Sequence, residues 1–437
     1  MLQRLNPAQI LVLGFFTIII AGSILLSIPW ATQSGKIHYI TALFTSASAV
    51  CVTGLVVVDT ASYWTPFGQL IIMLLFQIGG LGIMAFATFI ALLMGKNIQL
   101  KQRLAMQQAI NRSSMEGIVG VFKYLLLLSF IIELIGAGIL LIYWLPAMDT
   151  GQAVWYSIFH SISAFNNAGF DLFGNFSSLT GFMGNAVVSL TISSLFIAGS
   201  IGFIVFYEIF NYRQNRSLSL HARVVIITTV IVIVGGTLLF FLLEYHNTLQ
   251  GLSMNEKLIT SFFQSSTRTA GFTTVDLSGS LLPTQMLLMF LMFIGGAPGS
   301  TAGGIKVTTM AILCLAVISF LRGRRDVEVM ERRIMTEDLL KAAAIFFLSL
   351  SLVFVFTFLI TIGHEAPFNV ILFEVISAVG TVGLSLGLTP DLNPLGQIII
   401  ITGMFLGRVG PVTVAYCMVN GKKKGQIRYA EDRIMVG

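Results

Sequence analysis

The chain has 437 residues, 56% of them hydrophobic and only 10% charged, with a mean hydropathy of +0.89 and a formal charge of +6. Soluble domains carry roughly 25% charged residues, so this composition excludes a water-soluble enzyme and makes the bilayer the solvent. Cys51, Cys314 and Cys417 stand apart and the five histidines (His38, His160, His221, His246, His364) lack ligand spacing, so neither a disulfide framework nor a metal site is expected.

A spanning helix needs roughly 20 apolar residues. In chain order, such stretches run over 10–29, 67–94, 119–145, 182–207, 224–243, 284–321, 339–362 and 395–418. The first has no small-residue cleavage site and reads as a retained helix, not a signal peptide. Between the members of each pair lies a shorter apolar segment, at 39–49, 155–164, 258–266 and 370–378. These are too short to cross roughly 30 Å of hydrocarbon. They read as half-helices entering from outside, followed by loops that return, which is tolerated only where protein or a water-filled cavity surrounds the backbone. Their carboxyl ends would then point to the membrane centre, where a cation gains from the dipole.

Each half-helix runs into one recurring pattern. Aligned on glycine, the chain reads SASAVCVTGL over 46–55, SISAFNNAGF over 161–170, FQSSTRTAGF over 263–272 and VISAVGTVGL over 375–384. Serine stands six residues before the glycine each time (Ser48, Ser163, Ser265, Ser377) and is expected to cap or brace the half-helix. The glycines Gly54, Gly169, Gly271 and Gly383 are 115, 102 and 112 residues apart. Glycine permits backbone angles closed to other residues, so consecutive carbonyls can replace an ion's hydration shell. A single such segment would suit close packing of helices through small residues; four in register favour a filter. A secondary carrier is the rival reading, since it too uses broken helices near the midplane, though usually in inverted repeats. These four run one way. No nucleophile–base set or carboxylate pair stands out, so an enzyme is not expected.

Basic residues set orientation. Arg4, then Lys96, Lys101, Arg103, Arg112 and Lys123, then Arg213, Arg216 and Arg223 fall on one side. Arg322, Arg324, Arg325, Arg332, Arg333 and Lys341 follow there, and Lys422, Lys423, Lys424, Arg428 and Arg433 close the tail. The other side has only Lys36, Lys257 and Arg268, against Asp59, Asp149, Asp171, Glu244, Glu256, Asp276, Glu365, Glu374 and Asp391. Both termini are therefore expected in the cytoplasm and the glycine motifs outside, where an acidic mouth attracts cations. The basic inner face reports topology and lipid contact, not nucleic acid.

The sixth stretch contains a second unusual element. Gly295, Gly296, Ala297, Pro298, Gly299, Ser300, Thr301, Ala302, Gly303 and Gly304 interrupt it, and apolar sequence resumes after Lys306. Five glycines and a proline in ten residues exceed what a kink requires, so a flexible intramembrane loop is expected over 295–305. It is not a phosphate loop, because Ile305 separates Gly304 from Lys306 and no strand precedes it. Gly80-x-Gly82-x-x-Ala85 mimics a dinucleotide fingerprint inside an apolar stretch and reads as helix packing. A charge in mid-membrane costs about 2.5–3.5 kcal/mol on insertion scales and usually faces the interior with a partner. Arg408 is such a charge, facing the loop or else snorkelling towards the cytoplasm; Glu133 reads as a satisfied hydrogen bond between helices.

Through SIFHSISAFNNAGFDLF (157–173), STRTAGF (266–272), GSTAGGIKVTT (299–309) and GTVGLSLGLTP (380–390), essentially the whole chain resembles the Trk/Ktr/HKT superfamily of potassium transporters. Within it, the membrane subunit of bacterial Ktr systems, the KtrB/KtrD type, is most similar. The resemblance implies an all-α polytopic membrane protein of four tandem helix–pore loop–helix repeats, with eight spanning helices and four half-helices around one pore. The repeats would cover 1–112, 113–221, 222–335 and 336–419, with a cytoplasmic tail at 420–437. It implies a K+ filter of Val52, Thr53, Gly54, Asn167, Ala168, Gly169, Thr269, Ala270, Gly271, Thr381, Val382 and Gly383. Relatives that favour Na+ often have serine at the first glycine; here all four are glycine. It further implies that the 295–305 loop with Lys306 and Arg408 is the gate, and that Na+ acts as an activator. The chain itself would bind no cofactor. It would form a homodimer held partly by 427–437, on a ring of cytosolic RCK-type subunits that bind ATP or ADP, in the bacterial plasma membrane.

Overall fold

The computed structural model describes residues 7–36, 38–82, 118–324, 326–410 and 413. In chain order the helices are α1 (Pro7–Leu26), α2 (Tyr39–Val50), α3 (Thr60–Tyr63), α4 (Pro66–Leu81), α5 (Ile118–Trp144) and α6 (Thr150–Phe165). Then come α7 (Ala186–Ser200), α8 (Phe203–Phe210), α9 (Tyr212–Asn215), α10 (Leu220–Glu244) and α11 (Met254–Ser266). The last are α12 (Leu282–Phe293), α13 (Val307–Leu321), α14 (Thr336–Gly363), α15 (Phe368–Gly380) and α16 (Pro394–Val409). A two-stranded antiparallel hairpin, β1 (Glu328–Val329) and β2 (Arg332–Arg333), lies between α13 and α14.

The molecule is built for an apolar solvent. Leu134 and Ile142 on α5, Ile231 and Leu242 on α10, and Phe347 and Phe354 on α14 point outward. The interior instead holds Ser46, Ser48, Ser161, Ser163, Asn166, Asn167 and Gln264. In water this arrangement would be unstable; in lipid the long helices expose what hydrocarbon accepts. Helix starts are fixed by local chemistry. Thr65, Asn185 and Asn393 accept hydrogen bonds from Gly68, Val188 and Gly396, capping α4, α7 and α16, and Pro66 and Pro394 occupy first-turn positions where no N–H is needed.

Among the described residues, only four of the eight expected spans are single long apolar helices: 9–26, 126–144, 220–244 and 336–363. The other four are interrupted, each at a backbone conformation a helix cannot contain. α4 stops at Gly82 (φ 85°) and α16 at Gly410 (φ 90°), and the fourth stretch bends by 104° between α7 and α8 at Gly202 (φ 94°). The loop at 294–306 divides the sixth into α12 and α13. The remainder of the 67–94 stretch, the basic segment at 83–117, residues 411–412 and 414–418 of the 395–418 stretch and the 420–437 tail lie outside the described residues.

Candidate functional site

The expected half-helices are α2, α6, α11 and α15. At the ends of α2, α6 and α15 the chain reverses through a left-handed residue, Val52 (φ 57°), Asn167 (φ 59°) and Thr381 (φ 49°). The next N–H bonds back into the helix: Thr53 to the Ser48 carbonyl at 2.8 Å, Ala168 to Ser163 at 2.8 Å and Val382 to Ser377 at 2.9 Å. The third limb exits differently, through a 3₁₀ turn over Thr267–Thr269, with Ala270 N–H on the Thr267 carbonyl.

All four glycines have positive φ: Gly54 88°, Gly169 71°, Gly271 76° and Gly383 101°. They meet in a closed ring in chain order. A Cβ built on Gly54 would strike the Ala168 carbonyl, one on Gly169 the Ala270 carbonyl, one on Gly271 the Val382 carbonyl and one on Gly383 the Thr53 carbonyl. Every one of these approaches is 2.7 Å or closer, so no side chain fits at any of the four positions without movement of backbone. Each limb thus presents a carbonyl against its neighbour's glycine, which concentrates backbone oxygen at one point.

The serines divide. Ser48 Oγ accepts from Gly54 N–H at 3.1 Å and Ser377 Oγ from Gly383 N–H at 3.0 Å, while Ser163 Oγ donates to the Phe170 carbonyl at 2.8 Å. Ser265 does none of this and donates instead to the Ile233 carbonyl on α10 at 2.7 Å. Its counterparts are Ser46, which donates to Ile19, and Ser161, which donates to the Glu133 carbonyl. Thr267 takes the place of Ser163 by donating to the Phe272 carbonyl at 2.7 Å. The glycine-anchored alignment is therefore out of register before the glycine in the third limb, because its tighter exit spends two fewer residues.

On the side where the four limbs leave the glycines, the ring opens into a cavity of about 150 Å³ whose lining includes all four glycines and Asp171. Glu374, grouped by sequence with the outer acids, is instead buried in α15 and accepts from Ser385 and Thr389, pinning the strand that leaves the ring. Glu244 is likewise buried, receiving Thr284, Thr248 and the Leu281 N–H.

On the opposite side of the ring the 295–305 loop docks directly against the limbs. Asn167 Nδ2 donates to Thr301 Oγ1 at 2.7 Å, and the Thr381 hydroxyl occupies the space a Cβ on Gly303 would need. The loop is tied down, contrary to the flexibility expected from composition. Ala297 N–H bonds the Ser200 carbonyl at 2.8 Å, Thr301 N–H the Gly199 carbonyl at 3.1 Å, and Phe203 N–H the Gly299 carbonyl at 2.9 Å. The broken ends of the fourth and sixth stretches thereby satisfy each other. Gly295 N–H on the Ile305 carbonyl and Val307 N–H on Gly296 close the loop's base. Arg408 donates to the carbonyls of Thr301, Gly79 and Gly80, so it faces inward and does not snorkel. Lys306 Nζ donates to the Ala302 carbonyl at 2.7 Å.

A family model described as a cation transport protein, TrkH, matches residues 7–422. The chain belongs to this cation transporter family. It is 43% identical to the Ktr system potassium uptake protein B of Bacillus subtilis, over 99% of this chain and 97% of the relative. Identity to the potassium/sodium uptake protein NtpJ of Enterococcus hirae is 38%, over 100% and 98%. The crystal structure of the potassium transporter TrkH from Vibrio parahaemolyticus has the same fold, with a TM-score of 0.74 at 21% identity over 96% of this chain and 86% of that one. The chain is thus a helical, multi-pass membrane transporter of the Trk/Ktr kind and not an enzyme.

Three supports of this cation transporter's site escaped the sequence reading. Arg268 is buried and donates to the Ile294 and Gly295 carbonyls, holding the start of the loop. Gly79, Gly199 and Gly407 lie so close under the carbonyls of Val50, Phe165 and Val379 that a side chain would overlap them. The repeated Gly-x-x-Gly at 79–82, 199–202 and 407–410 was the available signal, since its second glycine breaks each helix. Gly22, Gly136 and Gly236 make room for Ser46, Ser161 and Ser265, and Leu75, Leu195 and Leu291 crowd the same glycines. Glu133 is bonded between helices as expected, receiving Gln77 at 3.0 Å and Asn166 at 3.2 Å.

Proposed function

We propose that this chain conducts K+ across the bacterial plasma membrane as the channel-like subunit of a Ktr-type uptake system. The observation that carries the reading is the closed ring of Gly54, Gly169, Gly271 and Gly383, with the Thr53, Ala168, Ala270 and Val382 carbonyls turned against it. Carbonyls so placed can replace hydration water around a cation. The filter in this reading comprises those residues with Val52, Asn167, Thr269 and Thr381. The 295–305 loop, Lys306 and Arg408 act beneath it as the gate, two positive charges and a backbone plug across a cation path. The chain is organised as four tandem repeats over 1–112, 113–221, 222–335 and 336–419, and both termini are cytoplasmic.

An open K+ path in an energised membrane feels about 2.3 kcal/mol per charge per 100 mV, so control is needed. We assign it to a cytosolic ring of RCK-type subunits that bind ATP or ADP and bear on the loop, with this chain as a homodimer. The relatives' names, Ktr system proteins and a potassium/sodium uptake protein, support both a multi-subunit system and a part for Na+ as activator. That last name also keeps a Na+-coupled K+ carrier as the second reading. Rb+ uptake into proteoliposomes separates them. The channel reading expects flux down the Rb+ gradient without Na+, stimulated when Na+ is added, and loss of K+ preference in Gly54→Ser. Strict stoichiometric coupling to Na+ would give the carrier, and unchanged K+/Na+ competition in Gly54→Ser would remove the filter.

A further inference from the structure

Bonds from three parts of the molecule converge on Thr301, in the middle of the 295–305 loop. Its N–H donates to the Gly199 carbonyl at 3.1 Å, and its own carbonyl receives Arg408. The hydroxyl turns wholly to the second limb: it donates to the Phe165 carbonyl at 3.2 Å and accepts from Asn167 Nδ2 at 2.7 Å. The Asn167 amide is itself set in place without the loop. Oδ1 accepts from the Thr269 hydroxyl of the third limb at 2.9 Å, and Nδ2 also reaches the carbonyls of Phe196 at 3.2 Å and Phe165 at 3.4 Å. Gly199 leaves room for the meeting, since a Cβ there would lie 2.7 Å from Thr301 Oγ1 and 2.8 Å from Asn167 Nδ2.

The backbone does not account for an amide at this place. Asparagine tolerates left-handed angles better than most residues, yet Val52 and Thr381 take the same turn in the first and fourth limbs. The Val52 side chain has no hydrogen-bonding group, and the buried Thr381 hydroxyl has no partner among the described residues. We propose that Asn167 is the catch that holds the loop closed, a positioning residue whose backbone belongs to the second limb and whose amide fixes Thr301. The proposal deepens the gate reading and rests on it, because a fastened loop matters to flux only if the loop moves. When the loop leaves, Nδ2 keeps Phe196 and Oδ1 keeps Thr269, so the limb retains bonds of its own. The Thr301 hydroxyl and the Phe165 carbonyl must instead find water or another partner, and leaving them dry would be costly. That difference is what favours the closed loop.

The test is Rb+ uptake by the full chain in proteoliposomes at one fixed Rb+ gradient. Thr301→Val, which keeps the shape and removes the hydroxyl, is expected to raise uptake about fivefold, equivalent to about 1 kcal/mol. Thr301→Ser, which keeps the hydroxyl, should restore wild-type uptake. Asn167→Thr gives the second limb the residue of the fourth, and in that background Thr301→Val should lose most of its effect, since the bond it breaks is already gone. A merely structural role for Thr301 would instead give the same gain in both backgrounds. That result, or wild-type uptake in Thr301→Val, would overturn the catch. Arg408→Gln in the same vesicles reports on the gate itself. If it raises uptake while Thr301→Val does not, only the catch is wrong; if both leave uptake unchanged, the gate reading fails with it.

Discussion

The glycine ring and the 295–305 loop are both backbone-rich, both set among apolar helices, and held together by different physics. The ring is a steric object. Four left-handed glycines lie so close to neighbouring carbonyls that only hydrogen fits, and no charged side chain touches those carbonyls among the described hydrogen bonds. The loop is an electrostatic one. Arg268 grips its start, Arg408 its middle at Thr301, and Lys306 its Ala302 carbonyl. A sterically closed ring has one arrangement and tolerates no perturbation, as the proposed filter requires. A loop held by donors to carbonyl oxygens can trade those bonds for others, as the proposed gate requires.

That contrast orders the expected effects. Gly383→Ser is the most severe, because its Cβ would overlap the Thr53 carbonyl and the residue would have to hold a φ of 101°. Left-handed backbone costs a non-glycine residue roughly 1–2 kcal/mol before any clash, so K+/Na+ preference should fall by about tenfold or more. Competition of Na+ against Rb+ uptake measures it.

Next comes Arg408→Gln, which removes donors from Thr301, Gly79 and Gly80 at once. Hydrogen bonds to charged groups contribute about 1.5–3 kcal/mol each. Flux should rise several-fold while K+/Na+ preference stays at wild type. A mutant that lost preference without gaining flux would mean that the loop and the ring are one rigid unit.

Arg268→Gln tests the same loop at its other end, where the Ile294 and Gly295 carbonyls would lose their donor. Here a lower Tm in detergent is expected alongside a smaller rise in flux, because the buried carbonyls stay dry. Tm measured with and without the substitution, on protein of matched flux, separates folding from gating.

The mildest expected change is Glu133→Gln. Gln77 and Asn166 keep an acceptor, so stability should shift by less than about 1 kcal/mol, whereas Glu133→Ala strands two buried donors at about 1–3 kcal/mol each. Thermal melts of the pair decide whether this bond set braces the second limb or is incidental. An equal loss in both variants would argue that the charge itself, not the acceptor, is what the limb needs.

The hydrophobic runs, the four half-helices and the four glycines were legible in the chain itself, because bilayer burial and left-handed turns leave strong local signatures. Composition also located the loop, since glycine and proline at that density cannot continue a helix. It could not say that the loop is fastened, because its bonds run to Ser200, Gly199 and Phe203, about a hundred residues away. Nor could spacing reveal the two-residue deficit of the third limb. The glycine alignment looks sound there, and only the partners of Ser265 and Thr267 expose the shift. The same holds for Arg268 and Glu374, which sequence grouped with the outer side and which the fold buries as struts. What sequence determined was therefore which segments leave ordinary helix and why. What tertiary structure alone decided was which carbonyl each glycine meets and which donor each freed carbonyl finds, since those pairings depend on closing the four limbs around one point.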